Sequence, residues 1–192
     1  GHVVAADVHL RDDPRPPVVF LHGILTTVAV AADLFAAPER ESWIALSLPG
    51  HYPGRLAPGT RPEALDADRF ADLVEAAITA VVGGRPVIAV GWSTGAFAAL
   101  ALAARHPQRA AAVASLAGFA RGSRLTGSIA WLAWLARGTI GAAGLQSGLW
   151  AAGRLPWLHH AIVRTCVADH DAAVALPPDV VRGLQREFAH HS

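Results

Sequence analysis

The sequence has 192 residues, a formal net charge of +1, 53% hydrophobic residues and 16% charged residues. The near-neutral charge excludes the strongly basic surface of a nucleic-acid-binding domain, and the apolar fraction excludes a disordered chain. The length predicts one domain with a substantial buried core, while the single cysteine, Cys166, excludes an intramolecular disulfide and indicates a reducing, cytoplasmic environment.

Short apolar runs alternate with segments of helical periodicity over the first 116 residues. In chain order, the pattern predicts a strand over 3–10, a strand over 18–21, a helix over 28–39, a strand over 43–48, a helix over 62–82, a strand over 86–90, a helix over 96–104 and a strand over 110–116. Continuous apolar strands are typical of a parallel sheet that is buried on both faces. The alternation predicts an α/β fold whose mostly parallel sheet carries helices on both faces.

Sheets of this kind often bind nucleotides, but this sequence lacks the corresponding motifs. Neither G-x-G-x-x-G nor G-x-x-x-x-G-K-[ST] occurs, and the chain contains no lysine. The pair Gly83-Gly84 precedes a predicted strand, whereas a phosphate-binding turn follows one. We therefore expect no cofactor, and in particular no dinucleotide.

The pentapeptide Gly91-Trp92-Ser93-Thr94-Gly95 matches G-x-S-x-G and lies between a predicted strand and a predicted helix. A serine hydroxyl is a weak nucleophile, so it must be presented on a tight turn within reach of a base. Such a turn strains the backbone at the serine, and glycines two positions away on either side avoid a clash. The N–H groups at the start of the helix favour developing negative charge. The alternative is a glycine-rich turn in which Ser93 only caps the helix.

Four motifs, in this order, resemble the α/β-hydrolase family over about residues 3–120. They are Phe20-Leu21-His22-Gly23, Leu46-Ser47-Leu48-Pro49-Gly50-His51, the Ser93 pentapeptide, and residues 103–109 at the end of the helix that follows it. Position 47 holds Ser where the family commonly has Asp. A serine at position 93 argues against the dehalogenase and epoxide-hydrolase branches, which have Asp there.

The resemblance implies a role for each residue of this site. Ser93 would be the nucleophile, and the backbone N–H groups of Thr94 and Ile24 would form the oxyanion hole. Trp92 would contribute to substrate binding. His22 precedes the serine, whereas the family's base follows it, so His22 is expected to hold the oxyanion loop by hydrogen bonds. No metal is expected at the site.

The pattern changes near residue 118, where apolar segments are broken by glycines and carry four tryptophans, Trp131, Trp134, Trp150 and Trp157. The resemblance implies a hydrolase core over 1–117 and a helical cap over 118–192. The tryptophans either line an apolar roof over the pocket or anchor the cap, and a lid at a membrane surface is a weaker alternative. The apolar run over 129–136 is too short to cross a bilayer, so we expect no membrane span.

A serine hydrolase also needs a base and an orienting acid. Within the chain the candidates are Asp169 or Asp171 with His190, provided that residues 161–168 form a strand that delivers the acid. Residues 179–191 have helical periodicity instead, which is a poor setting for a positioned histidine. We therefore expect the catalytic acid and base to lie beyond the end of this sequence. We expect the cluster Asp169-His170-Asp171 to be a solvated turn rather than a metal site.

Together these features predict a serine hydrolase that cleaves a carboxylic ester or thioester of a small apolar acyl substrate. Two alternatives stay open. One is a non-catalytic member of the family that binds a ligand in the same pocket, and the other is an acyltransferase that uses an acceptor other than water. The expected partner is a small molecule, and the oligomeric state is not determined by the sequence.

Overall fold

The computed structural model describes residues 1–24, 26–29, 42–60, 65–118, 138–166, 181–182 and 185–186. The chain divides into two compact units, Gly1–Ala120 and Arg121–Ser192. The first unit contains the sheet and the serine turn. The described residues of the second unit form helices and a turn between two of them, and the role of this unit as a cap remains a prediction.

The first unit is built on a sheet with five described strands. These are β1 (Ala6–His9), β2 (Val18–Leu21), β3 (Trp43–Leu46), β4 (Val87–Trp92) and β5 (Ala110–Leu116), in the spatial order β1-β3-β2-β4-β5. β1 runs antiparallel to β3, and the other neighbouring pairs are parallel. The predicted α/β class with a mostly parallel sheet is confirmed.

Two of the predicted strands form over fewer residues than expected. The predicted strand over 3–10 is reduced to β1, because Val3 pairs with Arg55 in an isolated bridge outside the sheet. The predicted strand over 43–48 ends at Leu46, because the Ser47 hydroxyl, and not its carbonyl oxygen, accepts from the N–H of Ala5 and the next amide leaves the sheet. The N–H of Ser47 donates to the carbonyl oxygen of Ala5, and the N–H of Leu48 donates to a histidine side chain.

Alternate residues of each strand pack on opposite faces of the sheet. Helices α1 (Ala67–Val82) and α2 (Thr94–Arg105) contribute to the larger core on one face. This core contains Val19, Leu21, Ile44, Leu46, Val74, Ile78, Val87, Ala89, Ala98, Ala99 and Leu102. A smaller cluster on the other face is formed by Phe20 and Ala45 with Val28, Trp43, Val90 and Trp92. Beyond residue 29, the predicted helix over 28–39 lies outside the described residues.

Helix α1 begins later than its apolar periodicity predicts. Leu65 and Asp66 precede the helix, and the Asp66 carboxylate accepts a hydrogen bond from the N–H of Arg69 at 2.8 Å. This N-cap satisfies one of the free amides of the first turn and sets where the helix starts. The helix stops at Gly83, whose φ of 61° is a conformation that glycine adopts without strain.

Arg109 ties the end of α1 to the segment before β4. The guanidinium of Arg109 is buried and lies 2.7 Å from the carboxylate of Glu75, and it also donates to the carbonyl oxygens of Gly83 and Arg85 and to the hydroxyl of Thr79. Arg109 lowers the pKa of Glu75 by hydrogen bonding. Because the guanidinium offers several donors in a fixed plane, one side chain can satisfy all these acceptors.

The second unit contains α3 (Gly138–Ala152) and α4 (Pro156–Cys166), and residues 181, 182, 185 and 186 are also helical. Because residues 161–166 belong to α4, the strand proposed over 161–168 is wrong. Pro156 suits the first turn of a helix, where no N–H is needed. Trp131 and Trp134 lie outside the described residues. No described helix has the length and apolar character needed to cross a membrane.

Candidate active site

The carboxyl ends of β2 and β4 meet at the centre of the sheet. These strands are parallel neighbours, with Leu21 opposite Gly91. The chain continues from β2 to β3 on one side of this pair and from β4 to β5 on the other. Ligands of open α/β sheets bind outside the carboxyl ends of the strands where the strand order reverses. The two predicted motifs, His22-Gly23 and the serine pentapeptide, therefore lie at the position where a binding crevice is expected.

Ser93 has a backbone conformation that residues other than glycine rarely adopt. Its φ is 54° and its ψ is −115°, a conformation that costs energy and persists only where neighbouring structure imposes it. A Cβ atom on Gly91 would overlap the backbone of Gly95 and Ala96. One on Gly95 would overlap the carbonyl of Leu21 and lie 2.6 Å from the carbonyl oxygen of His22. Both glycines are thus sterically required, as the sequence pattern predicts.

The side chain of Ser93 does not cap the helix that it precedes. Its hydroxyl makes no capping hydrogen bond to α2, so the alternative in which Ser93 is only a helix cap is wrong. The backbone takes over that task, because the carbonyl oxygen of Ser93 accepts from the N–H of Ala96 at 3.0 Å. The N–H of Ser93 donates to the carbonyl oxygen of Leu116 at the end of β5. The half-buried serine is anchored through its main chain.

The loop after β2 lies directly against this serine. A Cβ atom on Gly23 would be 3.2 Å from the Cβ of Ser93 and 3.3 Å from the carbonyl oxygen of Trp92. Ile24 follows this glycine and is 57% exposed. The structure therefore brings together the segments that carry Ile24, Trp92, Ser93 and Thr94, whose chemical roles remain predictions.

His22 joins the loop after β2 to the loop after β3. Its ring is fully buried, and Nε2 accepts a hydrogen bond from the N–H of Leu48 at 3.1 Å. Because an amide can only donate, Nε2 carries no proton, and the proton lies on Nδ1. Nδ1–H donates to the carbonyl oxygen of Gly23 at 2.7 Å, and the hydroxyl of Thr26 donates to the same oxygen at 2.8 Å. Two side chains thus hold the carbonyl that precedes Ile24.

Burial makes His22 a poor base. Removal from solvent lowers its pKa from 6.5 to about 4; the bond to Gly23 opposes this change and the neighbouring His51 adds to it. The His51 ring stands edge-on to the His22 ring, with 5.4 Å between centroids. Both nitrogens of His22 are already engaged with backbone groups. The geometry fits the expected structural role in the loop rather than proton transfer at Ser93.

Two further residues shape the site, and no sequence motif pointed to them in these roles. Ser47, at the position where the family commonly has Asp, is buried, and its hydroxyl accepts from the N–H of Ala5 at 2.8 Å. Gly118 follows β5, and a Cβ atom there would overlap the side chains of Ala96 and Ser115. Ser47 thus connects the start of β1 to the loop after β3, and Gly118 allows the chain after β5 to pass close to α2.

The candidate acid and base within the chain, Asp169, Asp171 and His190, lie outside the described residues. Among the residues whose positions are given, no group of three or more His, Cys, Asp or Glu side chains could hold a metal ion.

A family model described as the alpha/beta hydrolase fold matches residues 16–146. The sequence matches no curated protein. Among solved structures, it is similar to an enol-lactonase from Burkholderia xenovorans LB400, with 18% identity over 99% of this chain and 65% of that one and a TM-score of 0.68. It is similar to Cfl2 from Burkholderia cenocepacia, with 15% identity over 99% and 63% of the two chains and a TM-score of 0.74. It is also similar to the Cif epoxide hydrolase from Acinetobacter nosocomialis, with 14% identity over 98% of this chain and 61% of that one and a TM-score of 0.68.

At these identities the likeness shows a shared fold and no shared substrate. The chain spans 61–65% of the length of these three structures. The family match covers β2 to β5, the serine turn and the His22 loop. The chain belongs to the α/β hydrolase fold family.

Proposed function

We propose that Ser93 is the nucleophile of a serine hydrolase that cleaves a carboxylic ester or thioester with a small apolar acyl group. The observation that carries the proposal is the strained backbone of Ser93, at φ 54° between two glycines, with a hydroxyl that does not cap the helix. Strain of this kind persists where the surrounding structure imposes it, and it clusters at active sites. Membership of a fold family composed mostly of hydrolases supports the same conclusion.

The proposed reaction has two halves. Ser93 Oγ attacks the acyl carbon and gives its proton to a base, while the carbonyl electrons move onto the acyl oxygen. The N–H groups of Thr94 and Ile24 stabilise that oxygen, and losing one such donor typically costs about 3–4 kcal/mol of barrier. Collapse of the intermediate breaks the bond to the alcohol or thiol, which takes the proton from the base. Water then hydrolyses the acyl-enzyme by the same route.

The base and the acid that orients it are the unassigned part of this proposal. His22 is unsuitable because its nitrogens bond to the backbone and its pKa is lowered to about 4. The candidates Asp169 or Asp171 with His190 required a strand over 161–168, and this segment is helical as far as Cys166, so the arrangement that would have delivered the acid is not formed. The apolar acyl preference rests on the predicted cap with its four tryptophans, whereas the half-buried Trp92 packs with Phe20 on the second face of the sheet. A cytoplasmic location remains the expectation from the cysteine content.

Labelling with a fluorophosphonate probe tests the nucleophile. We expect the full-length protein to gain the mass of one probe adduct, located at Ser93 by peptide mapping. Ser93→Ala is expected to remain unlabelled. Ser147→Ala is the matched control, because that hydroxyl donates to the carbonyl oxygen of Ala143 in the second unit, and it is expected to label like the wild type.

The labelling results separate the alternatives. A folded full-length protein that gains no adduct would contradict the hydrolase proposal and favour a ligand receptor, whereas an adduct on another serine would contradict the assignment of Ser93. If Ser93 is labelled, product analysis with a set of acyl esters distinguishes transfer to water from transfer to an added alcohol or amine.

A further inference from the structure

Exposed aromatic and aliphatic side chains are concentrated at the turn between α3 and α4. Trp150 is 52% exposed, Leu155 is 42% exposed and Trp157 is 68% exposed. All lie within eight residues of each other, at the end of α3, in the turn and at the start of α4. We call this segment, with Arg154, the tryptophan turn. Exposed large apolar side chains that are grouped together are a feature of interaction sites.

Arg154 is part of the same surface. Its guanidinium carbon lies 3.8 Å from the centroid of the Trp150 ring, and Nη1 donates to the carbonyl oxygen of Trp150 at 3.3 Å. The guanidinium therefore lies over one exposed indole, and Arg154 itself is exposed. An aromatic ring and a cation side by side are suited to the boundary between an apolar layer and an anionic one.

The sequence around the tryptophan turn carries positive charge without negative charge. No Asp or Glu occurs between Glu75 and Asp169. The second unit up to residue 168 contains five arginines, Arg121, Arg124, Arg137, Arg154 and Arg164. On α4, Trp157, Ala161 and Arg164 are exposed at helical spacing, while His159 is buried. The exposed side of α4 thus continues the aromatic and basic character of the turn.

These observations favour a lipid surface over a protein partner. A stable protein interface uses about 20–30 residues on each side, and the tryptophan turn offers three large apolar side chains. Pairing with a second copy would place two positively charged turns together. A bilayer surface needs only a few aromatic anchors with basic residues beside them. Anionic headgroups also complement the exposed Arg154 and Arg164.

We propose that the tryptophan turn docks on the surface of a bilayer containing anionic phospholipid. The indoles of Trp150 and Trp157 and the side chain of Leu155 enter the interface, and Arg154 pairs with headgroup phosphates. This proposal does not depend on the chemistry of Ser93, so Ser93→Ala is expected to bind lipid like the wild type.

Vesicle flotation tests the proposal. The full-length protein is mixed with phosphatidylcholine vesicles that contain or lack phosphatidylglycerol, and the floated fraction gives a partition coefficient. We expect binding to the anionic vesicles and about fivefold weaker binding for Arg154→Gln. For the double variant Trp150→Ala/Trp157→Ala we expect binding weaker by about tenfold or more.

Matched controls come from the first unit. Leu10 has the same 42% exposure as Leu155, so Leu10→Ser is compared with Leu155→Ser. Arg55→Gln, at another exposed arginine, is compared with Arg154→Gln. Only the variants of the tryptophan turn are expected to lose binding, and circular dichroism verifies that every variant is folded.

Three results would overturn the proposal. The first is no flotation with anionic vesicles, and the second is equal flotation with both vesicle types. The third is a double tryptophan variant that has a lower molecular mass than the wild type in sedimentation but binds lipid like the wild type. That last result would assign the tryptophan turn to contact between copies of the chain.

Discussion

Acidification is expected to destabilise the first unit through His22. In the folded chain the ring is neutral, since Nε2 accepts from the N–H of Leu48 and Nδ1–H donates to the carbonyl of Gly23. Protonation of Nε2 would replace an acceptor with a donor that faces the Leu48 N–H. The buried ring would then carry a charge beside His51, which lies 5.4 Å away between centroids.

The magnitude follows from the two pKa values. Burial lowers the pKa of His22 from 6.5 to about 4, and each unit of difference corresponds to about 1.4 kcal/mol. Between these values the unfolded chain holds a proton that the folded chain does not. Stability is therefore complete above pH 6.5 and falls as the pH drops toward 4, by about 3 kcal/mol in total.

Urea denaturation of wild type and His22→Gln from pH 7.5 to pH 4 measures this effect. The glutamine oxygen can accept from the Leu48 N–H but does not titrate, so the difference between the two proteins isolates His22 from the carboxylates. We expect the unfolding free energy of the wild type to fall by about 3 kcal/mol relative to the variant. A difference that stays constant with pH, or a His22 pKa near 6.5 in an NMR titration, would refute the assigned tautomer and burial.

Three other contacts of the first unit lead to further expectations, and chemical denaturation measures the unfolding free energy in each case. Gly95→Ala places a Cβ against the carbonyl of Leu21 in β2 and is expected to cost about 3 kcal/mol or prevent folding. A Cβ at Gly84 meets nothing within 4 Å, so the control Gly84→Ala is expected to cost far less. Arg109→Met removes the buried partner of an ion pair and is expected to lower the unfolding free energy by about 3 kcal/mol. The control is Arg105→Met, at a 45% exposed side chain, which is expected to cost under about 1 kcal/mol. Equal effects of the two substitutions would contradict the role of burial. Asp66→Ala removes the N-cap of α1 and is expected to cost about 1 kcal/mol, with no change expected if the cap is not formed.

The serine turn was predictable from five residues because its constraints are local. The positive φ of Ser93 and the absence of space at Gly91 and Gly95 arise between residues at most five positions apart or against the adjacent strand. The bounds of β2 and β5 were likewise predicted, since each is a short run of apolar residues set off by turn residues.

Local signals were less reliable at the ends of elements. Apolar periodicity predicted that α1 would begin at residue 62, but Asp66 caps it and the helix begins at Ala67. The strand considered over 161–168 falls within α4, because a short apolar segment with β-branched residues suits either structure until its packing partners are known.

The sequence alone determined the α/β class, the serine turn and the grouping of aromatic residues after residue 118, because each depends on residue type and short spacing. Tertiary structure decided which distant residues meet at the site. The bond from Leu48 to His22, the bond from Ala5 to Ser47 and the contact of Gly23 with Ser93 join segments that are far apart in the chain. Their physical cause is the arrangement of the sheet, in which β2 and β3 pair in parallel and the strand order β1-β3-β2-β4-β5 also places β1 beside β3 and β2 beside β4.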